Sequence, residues 1–408
     1  MPNRATVASG ADPGIGATLH RVAVIGTATS RADRERVEIE LDELEELART
    51  LGTEVVERRL LTLREPHPAT FLRSGMVETL AAQVAELDRP AVLCNDALSP
   101  RQQRNLQEAW SVPVLDRTEV ILAIFAHRAI TAEGRLQVEM AQLEHLLPRL
   151  AGGWSHLERQ RGGVGLRGGP GETQIEVDRR LIRGRIKRLR ERLVVLERQR
   201  RTRRTARTNV PLASCALVGY TNAGKSTLLN ALTHSTVLAD DLLFATLDPT
   251  SRRLELTSGR RVIVTDTVGF IQKLPTELVE AFAATLEEVR QAHMLAVVVD
   301  GSHPDCASQL QTVIRTLADM GCEQPALLLV NKIDLLAPAE QRRVRLALGD
   351  VAGISPLAIS ARTGAGLREL RQSIDALAGS IVADTKANRP IIAALSPAEG
   401  VAPQSVAG

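Results

Sequence analysis

Apolar and polar positions along the chain fall into three regimes. From residue 20 to about 116, short apolar runs alternate with stretches in which apolar residues recur every three or four positions. Arg21-Val22-Ala23-Val24-Ile25-Gly26 reads as a strand, and 34–51 as an amphipathic helix with Val37, Leu41, Leu44 and Leu47 on one face. Glu54-Val55-Val56-Glu57 predicts a second strand, 76–87 a helix, Ala91-Val92-Leu93-Cys94 a third strand, 99–110 a helix and 112–115 a last strand. Alternation of this kind predicts a small parallel α/β domain. From 118 to 207 the period changes. Leu136, Met140, Leu143, Leu147 and Leu150 repeat at four-three spacing, as do Ile182, Ile186, Leu189, Leu193 and Leu196. Between these seams the run from Arg161 to Glu172, rich in glycine, cannot be helical. Two seams and one non-helical loop predict an antiparallel helical hairpin with the loop at its tip. From 208 to 380 strands are expected at 215–218, 253–256, 262–266, 295–300, 326–330 and 357–359, with helices after 227 and over 275–292, 305–320, 338–348 and 366–377. That is a doubly wound sheet. The expected fold is therefore α/β: a parallel α/β domain over 19–117, the hairpin over 118–207, and a Ras-like P-loop domain over 208–380. The patternless ends, 1–18 and 381–408, read as disordered tails.

Composition narrows the partners. The 408 residues are 44% hydrophobic but only 2% aromatic, so cores are aliphatic and any nucleic-acid contact cannot depend much on base stacking. Net charge is +3, so a basic surface must be local. It lies between Arg179 and Arg207, where arginines and Lys187 face only Glu191 and Glu197 as acids. Pairing within the helix cannot absorb that imbalance, and a polyanion can; RNA phosphate fits better than an acidic membrane because the seam leaves no apolar face for lipid. Candidate RNA contacts are Arg179, Arg180, Arg183, Arg185, Lys187 and Arg188, with Gly163, Gly165, Arg167, Gly168, Gly169, Pro170, Gly171 and Glu172 at the tip. The four cysteines have no paired spacing and read as reduced thiols. With no signal peptide and no apolar run of membrane-spanning length, a cytoplasmic monomer is expected. In the first domain, Arg73-Ser74-Gly75 reads as a plain turn into a helix rather than an anion site. The polar run Ser99-Pro100-Arg101-Gln102-Gln103-Arg104-Asn105 has two readings, a solvated first helical turn or a contact with RNA or a partner.

The chemistry concentrates in the third regime. Gly219-Tyr220-Thr221-Asn222-Ala223-Gly224-Lys225-Ser226 reads G-x-x-x-x-G-K-S after the apolar run Cys215-Ala216-Leu217-Val218, and Thr227 opens a helix. Backbone N–H groups of such a loop converge on phosphate; Lys225 reaches the β and γ phosphates and Ser226 holds Mg²⁺. Asp266-Thr267-Val268-Gly269 ends a strand, so Asp266 holds Mg²⁺ through water and the Gly269 N–H senses the γ-phosphate. Phe244-Ala245-Thr246-Leu247-Asp248-Pro249-Thr250 supplies the remaining metal hydroxyl from Thr246, with Thr250 as the alternative. Asn331-Lys332-Ile333-Asp334 places a carboxylate against the N1–H and exocyclic amine of guanine, donors that adenine lacks. Ser360-Ala361 offers a backbone N–H to the guanine carbonyl. Phe270 stands where Ras-like enzymes place a water-orienting Gln, so intrinsic hydrolysis is expected to be slow. Asn222 is similar to the potassium-ligating Asn of some related GTPases and makes K⁺ a second candidate cation.

Taken together, residues 99–106, Asp116-Arg117-Thr118, Gly163-Val164-Gly165, Gly169-Pro170-Gly171-Glu172-Thr173-Gln174, Asp178-Arg179-Arg180 and the phosphate loop closely resemble the HflX family of ribosome-associated GTPases. The resemblance spans roughly 20–375. It implies binding to the large ribosomal subunit and GTP-dependent splitting of stalled ribosomes under stress, with the tip loop directed at the peptidyl-transferase centre. Two departures stand out: Gly168-Gly169 where many members have one Gly, and Arg73-Ser74-Gly75-Met76 where Gly-Ser-Gly-Lys is usual. A GTP-switched RNA-binding or RNA-modification accessory factor is the alternative reading, and a signalling switch with a structural coiled coil a third.

Overall fold

The structure is a computed structural model describing residues 19–150, 174–205, 212–235, 243–273 and 283–387. The expected N-terminal tail and the tip loop lie outside the described residues. The chain divides into two compact units, one of residues up to Ala129 with Val138–Leu189, the other of Ile130–Gln137 with the chain from Arg190 onward.

In the first unit β1 (Arg21–Ala28), α1 (Arg34–Thr50), β2 (Glu54–Thr62), α2 (Ser74–Glu86), β3 (Ala91–Cys94), α3 (Pro100–Trp110) and β4 (Val114–Asp116) build a parallel sheet in the order β2-β1-β3-β4. The apolar stripe of α1 is buried as its period requires: Val37, Leu41, Leu44 and Leu47 are all sealed from solvent. β2 runs five residues beyond the expected end at Glu57, through Arg58 and Arg59. As an edge strand it is only half buried, and Arg58 ion-pairs with Glu38, Asp42 and Glu45 on α1. Charge there marks an edge, not a strand end.

Helix α4 (Arg117–Arg128) packs on α1 and β4, so the helical layer of this unit continues past the expected boundary at 117. Asp116 and Glu119 form a capping box at its start. Arg117 is 3% exposed and makes an ion pair to Glu43 and a 3.0 Å hydrogen bond to Asn95 Oδ1, while its Nε is buried without a partner. The polar run at 99–105 is absorbed by the same scaffold. Ser99 and Gln102 cap α3, Gln103 donates to the Val114 carbonyl at 2.8 Å, and Asn105 donates to the Ala69 carbonyl at 2.7 Å. The run is thus a first helical turn in which Gln103 and Asn105 brace the domain. Asp116, Glu119 and His145 also converge within 4.8 Å. Arg149 enters that cluster, donating to Asp116 at 2.9 Å, so it is an ion-pair network rather than a metal centre. Burial, with the Asp116 charge beside it, pushes the Glu119 carboxyl up.

The hairpin helices are α5 (Ala132–Arg149) and α6 (Gln174–Thr205). Of the expected seams, Met140 on α5, Leu150 just after it, and Ile186, Leu189 and Leu193 on α6 are buried, while Leu136, Leu143, Leu147, Ile182 and Leu196 are half-buried. Arg185 on α6 reaches Glu139 on α5 at 2.7 Å. Of the other charged residues expected to meet RNA, Arg180, Arg183, Lys187 and Arg188 are exposed and Arg179 is half-buried.

The second unit holds β5 (Ala213–Gly219), α7 (Lys225–Thr233), β6 (Thr250–Glu255), β7 (Arg261–Asp266), α8 (Ala283–Gln291), β8 (Met294–Asp300), α9 (Cys306–Asp319), β9 (Ala326–Asn331), α10 (Pro338–Ala352), β10 (Leu357–Ala358) and α11 (Leu367–Ala387). The sheet order is β10-β9-β8-β5-β7-β6, parallel except for β6, which pairs antiparallel to β7. Of the helix expected over 275–292, residues 275–282 lie outside the described residues. Cys215, Leu217, Leu228, Val264, Ala296 and Leu329 lie in its core, and Leu370, Ile374, Ala378 and Ile381 of α11 pack into it. That burial carries α11 on to Ala387, past the helix end expected at 377 and into the segment expected to be a tail. Cys94, Cys215 and Cys306 are buried free thiols and Cys322 is half-buried. None of the described helices is long and apolar enough to cross a membrane.

Candidate nucleotide site

The loop between β5 and α7 is shaped by two glycines. Gly219 sits at φ +151°, and a Cβ there would meet the Val298 carbonyl at 2.2 Å; Gly224 sits at φ +89°, where a Cβ would meet the Asn331 amide nitrogen at 2.3 Å. The sharp turn leaves the N-terminus of α7 facing a cleft of about 70 Å³ lined by Thr221, Asn222, Lys225, Ser226, Thr246 and Gly269, among others. Tyr220 and Ala223 are buried beneath the loop and Thr227 follows in the first turn of the helix. Lys225 is 6% exposed, with Nζ donating to the carbonyls of Gly219 at 3.2 Å and Tyr220 at 2.7 Å. Burial pulls its pKa down to about 8, with the Asp266 charge opposing. Incoming phosphate oxygens would restore the full charge.

Three hard oxygen donors meet beside it. Ser226 Oγ donates to Asp266 Oδ2 at 2.6 Å, Thr246 Oγ1 donates to the same oxygen at 2.8 Å, and the two hydroxyls lie 2.8 Å apart. Asp266 Oδ1 is buried without a hydrogen-bond partner. An orphaned carboxylate oxygen next to two hydroxyls is a donor set suited to Mg²⁺ and its waters. Of the two threonines, Thr246 makes these contacts; Thr250 opens β6, paired with Asp266 along the backbone ladder. Phe244 is buried under this segment, and Ala245 lines the cleft.

The Asp266-Thr-Val-Gly strand end closes against the loop. Gly269 approaches so closely that a Cβ would lie 2.8 Å from Thr221 Cα. Phe270 donates its N–H to the Gly219 carbonyl at 3.0 Å and accepts from the Thr221 N–H at 2.8 Å, with its ring 3% exposed. The residue standing in the glutamine's place is thus core, and its backbone ties two loops together. Thr267 spends its hydroxyl on the Leu217 carbonyl at 2.7 Å, and Val268 is buried.

On the base side, Asp334 Oδ1 accepts from Ser360 Oγ at 2.6 Å and Oδ2 accepts from Arg362 at 2.6 Å. Those hydrogen bonds hold its carboxyl below the usual range. Asn331 is a brace: its Nδ2 donates to the Ala223 carbonyl at 2.8 Å, and its Oδ1 accepts the Ala361 N–H at 2.9 Å. The N–H expected for the guanine carbonyl is therefore already engaged here. Lys332, in the left-handed region at φ +61°, pairs with Asp300 at 2.8 Å. Arg362 and Asp300 were not anticipated; Arg362 directly follows Ser360-Ala361, a signal that position alone could have given.

Residues 38–126 match the family described as GTP-binding GTPase N-terminal, 128–207 its middle region, and 214–332 the 50S ribosome-binding GTPase family. The chain is 51% identical over 339 residues to GTPase HflX of Magnetococcus marinus, covering 82% of this chain and 77% of that one. The chain belongs to the HflX family of GTPases. To the Escherichia coli member it is 44% identical over 348 residues, covering 85% of this chain and 81% of that one. The crystal structure of SsGBP with GDP shares the fold at TM-score 0.50 and 22% identity, covering 89% of this chain and 99% of that one. HflX GTPases are GTP hydrolases built on a P-loop domain, and the phosphate loop and the strand-end carboxylate described above lie within the matched GTPase segment of this chain.

Proposed function

We propose that this HflX GTPase binds the large ribosomal subunit when loaded with GTP, splits or rescues stalled ribosomes under stress, and leaves on hydrolysis. The observation that carries the proposal is the exposed basic set Arg180, Arg183, Lys187 and Arg188 on a long helix within a GTPase chain whose 214–332 segment matches a 50S ribosome-binding GTPase family. Phosphate contacts by such residues give binding that falls steeply with salt. In sucrose gradients with ribosomes, the protein should cosediment with large subunits in a non-hydrolysable GTP analogue and be released in GDP. A protein that stays at the top of the gradient in every nucleotide state, while binding free RNA, would instead be the accessory factor.

In the nucleotide site, Lys225 would hold the β and γ phosphates, Ser226 and Thr246 would hold Mg²⁺, and Asp266 would hold its waters. Mg²⁺ bound there would supply charge neutralisation at the phosphate oxygens. Because Phe270 is buried, no side chain at its position orients the attacking water, and intrinsic turnover is slow until a partner or a second cation assists. Asn222 lines the cleft in a left-handed conformation at φ +57° and is the residue through which K⁺ would act. Turnover in potassium should exceed that in sodium by about 10²-fold, the order expected for one added electrostatic contact in the transition state. Equal rates in both salts, unchanged by Asn222→Ala, would remove potassium from the mechanism.

A further inference from the structure

Asp248 makes a connection that the nucleotide chemistry does not require. Its Oδ2 accepts the backbone N–H groups of Ile130 at 3.1 Å and Thr131 at 2.9 Å, and its Oδ1 accepts the Thr131 hydroxyl at 2.5 Å. Thr131 Oγ1 in turn takes the Gly134 N–H at 2.9 Å, capping the first turn of α5. The approach is close: a Cβ on Gly134 would lie 2.7 Å from Asp248 Oδ1. That contact explains why a poor helix former stands in the first turn of an 18-residue helix. Residues 130–137 belong to the same compact unit as Asp248, and α5 runs on from there to Arg149.

Only Leu247, 3% exposed, separates Asp248 from Thr246, whose hydroxyl lies among the metal donors. Pro249 follows and disfavours helical backbone at Asp248, where the chain bends. A link of one buried residue ties the position of Thr246 to that of Asp248. We infer that Asp248 couples the placing of Thr246 at the metal to the seating of the α5 N-terminus, so that GTP binding and helix seating favour each other. Coupling of this kind is reciprocal: whatever tightens the clasp at Thr131 tightens GTP binding by the same factor. The inference rests on the nucleotide switch of the proposed function and not on its ribosome.

The test uses the full chain without ribosomes, measuring affinity for fluorescent GDP and for a non-hydrolysable GTP analogue. Asp248→Asn should weaken the analogue by about threefold to tenfold, as losing exposed charge-assisted hydrogen bonds would, and leave GDP within about twofold. Thr131→Val should act in the same direction, and the double variant should be no worse than Asp248→Asn alone. Gly134→Ala, which improves helix propensity but fills the space at Oδ1, should reproduce the selective loss. Unchanged GDP affinity reports an intact fold in each variant. Equal weakening of both nucleotides, or losses that simply add in the double variant, would overturn the coupling whatever the ribosome experiments show.

Discussion

The Asp334→Asn variant is expected to lose GDP affinity by about 10²–10⁴-fold and to prefer xanthosine diphosphate. The carboxylate is poised to accept from two guanine donors, and each charge-assisted hydrogen bond is worth about 1.5–3 kcal/mol, or roughly one to two decades in affinity. The flanking hydrogen bonds from Ser360 and Arg362 fix its orientation before any base arrives. An asparagine keeps the shape and one acceptor but presents an amide N–H, which opposes the guanine amine and suits the second carbonyl of xanthine. Paired titrations with GDP and xanthosine diphosphate decide the matter. Retained guanine preference at wild-type affinity would mean that the base is read elsewhere, and an unchanged melting temperature would show that the variant is folded.

The second large effect is expected at the hairpin. If the proposed function holds, removing 164–171 should abolish ribosome splitting while leaving GDP affinity within about twofold, because the sequence motifs of the nucleotide site all lie beyond residue 218. The loop lies outside the described residues, so the expectation stands on its composition and on the two helices, α5 and α6, that flank it. Light scattering of intact ribosomes with the deleted protein and GTP is the measurement. Splitting at the normal rate would leave the tip without a role and shift attention to the arginines of α6.

The two expectations differ in how much of each was readable along the chain. The G-x-x-x-x-G-K-S loop, the strand-end Asp266 and the Asn331-to-Asp334 motif are each local: a few consecutive residues carry both the turn geometry and the chemistry. Their identity therefore survives without knowledge of the fold. The α1 stripe and the hairpin seams were legible for a similar reason, since helical period is a property of neighbouring positions. Strand and helix ends fared worse. β2 continued through two arginines because its edge position and the acids of α1 made charge acceptable there. α11 continued to Ala387 because Ala378 and Ile381 found a core to enter.

Sequence alone settled the nucleotide domain and the order of its parts, and singled out Asp334 as the candidate reader of guanine, because each signal is encoded within a handful of adjacent positions. Tertiary structure decided what those residues touch. Only folding shows Asn331 bracing Ala223 across 108 positions and Ala361 across 30. Phe270, which cannot orient water, is also core. Asp248, read as one letter in the stretch after Thr246, meets Thr131 from 117 positions away. Hydrogen bonds between such distant residues leave no periodic trace in sequence, since their geometry exists only once the sheet has brought the loops together.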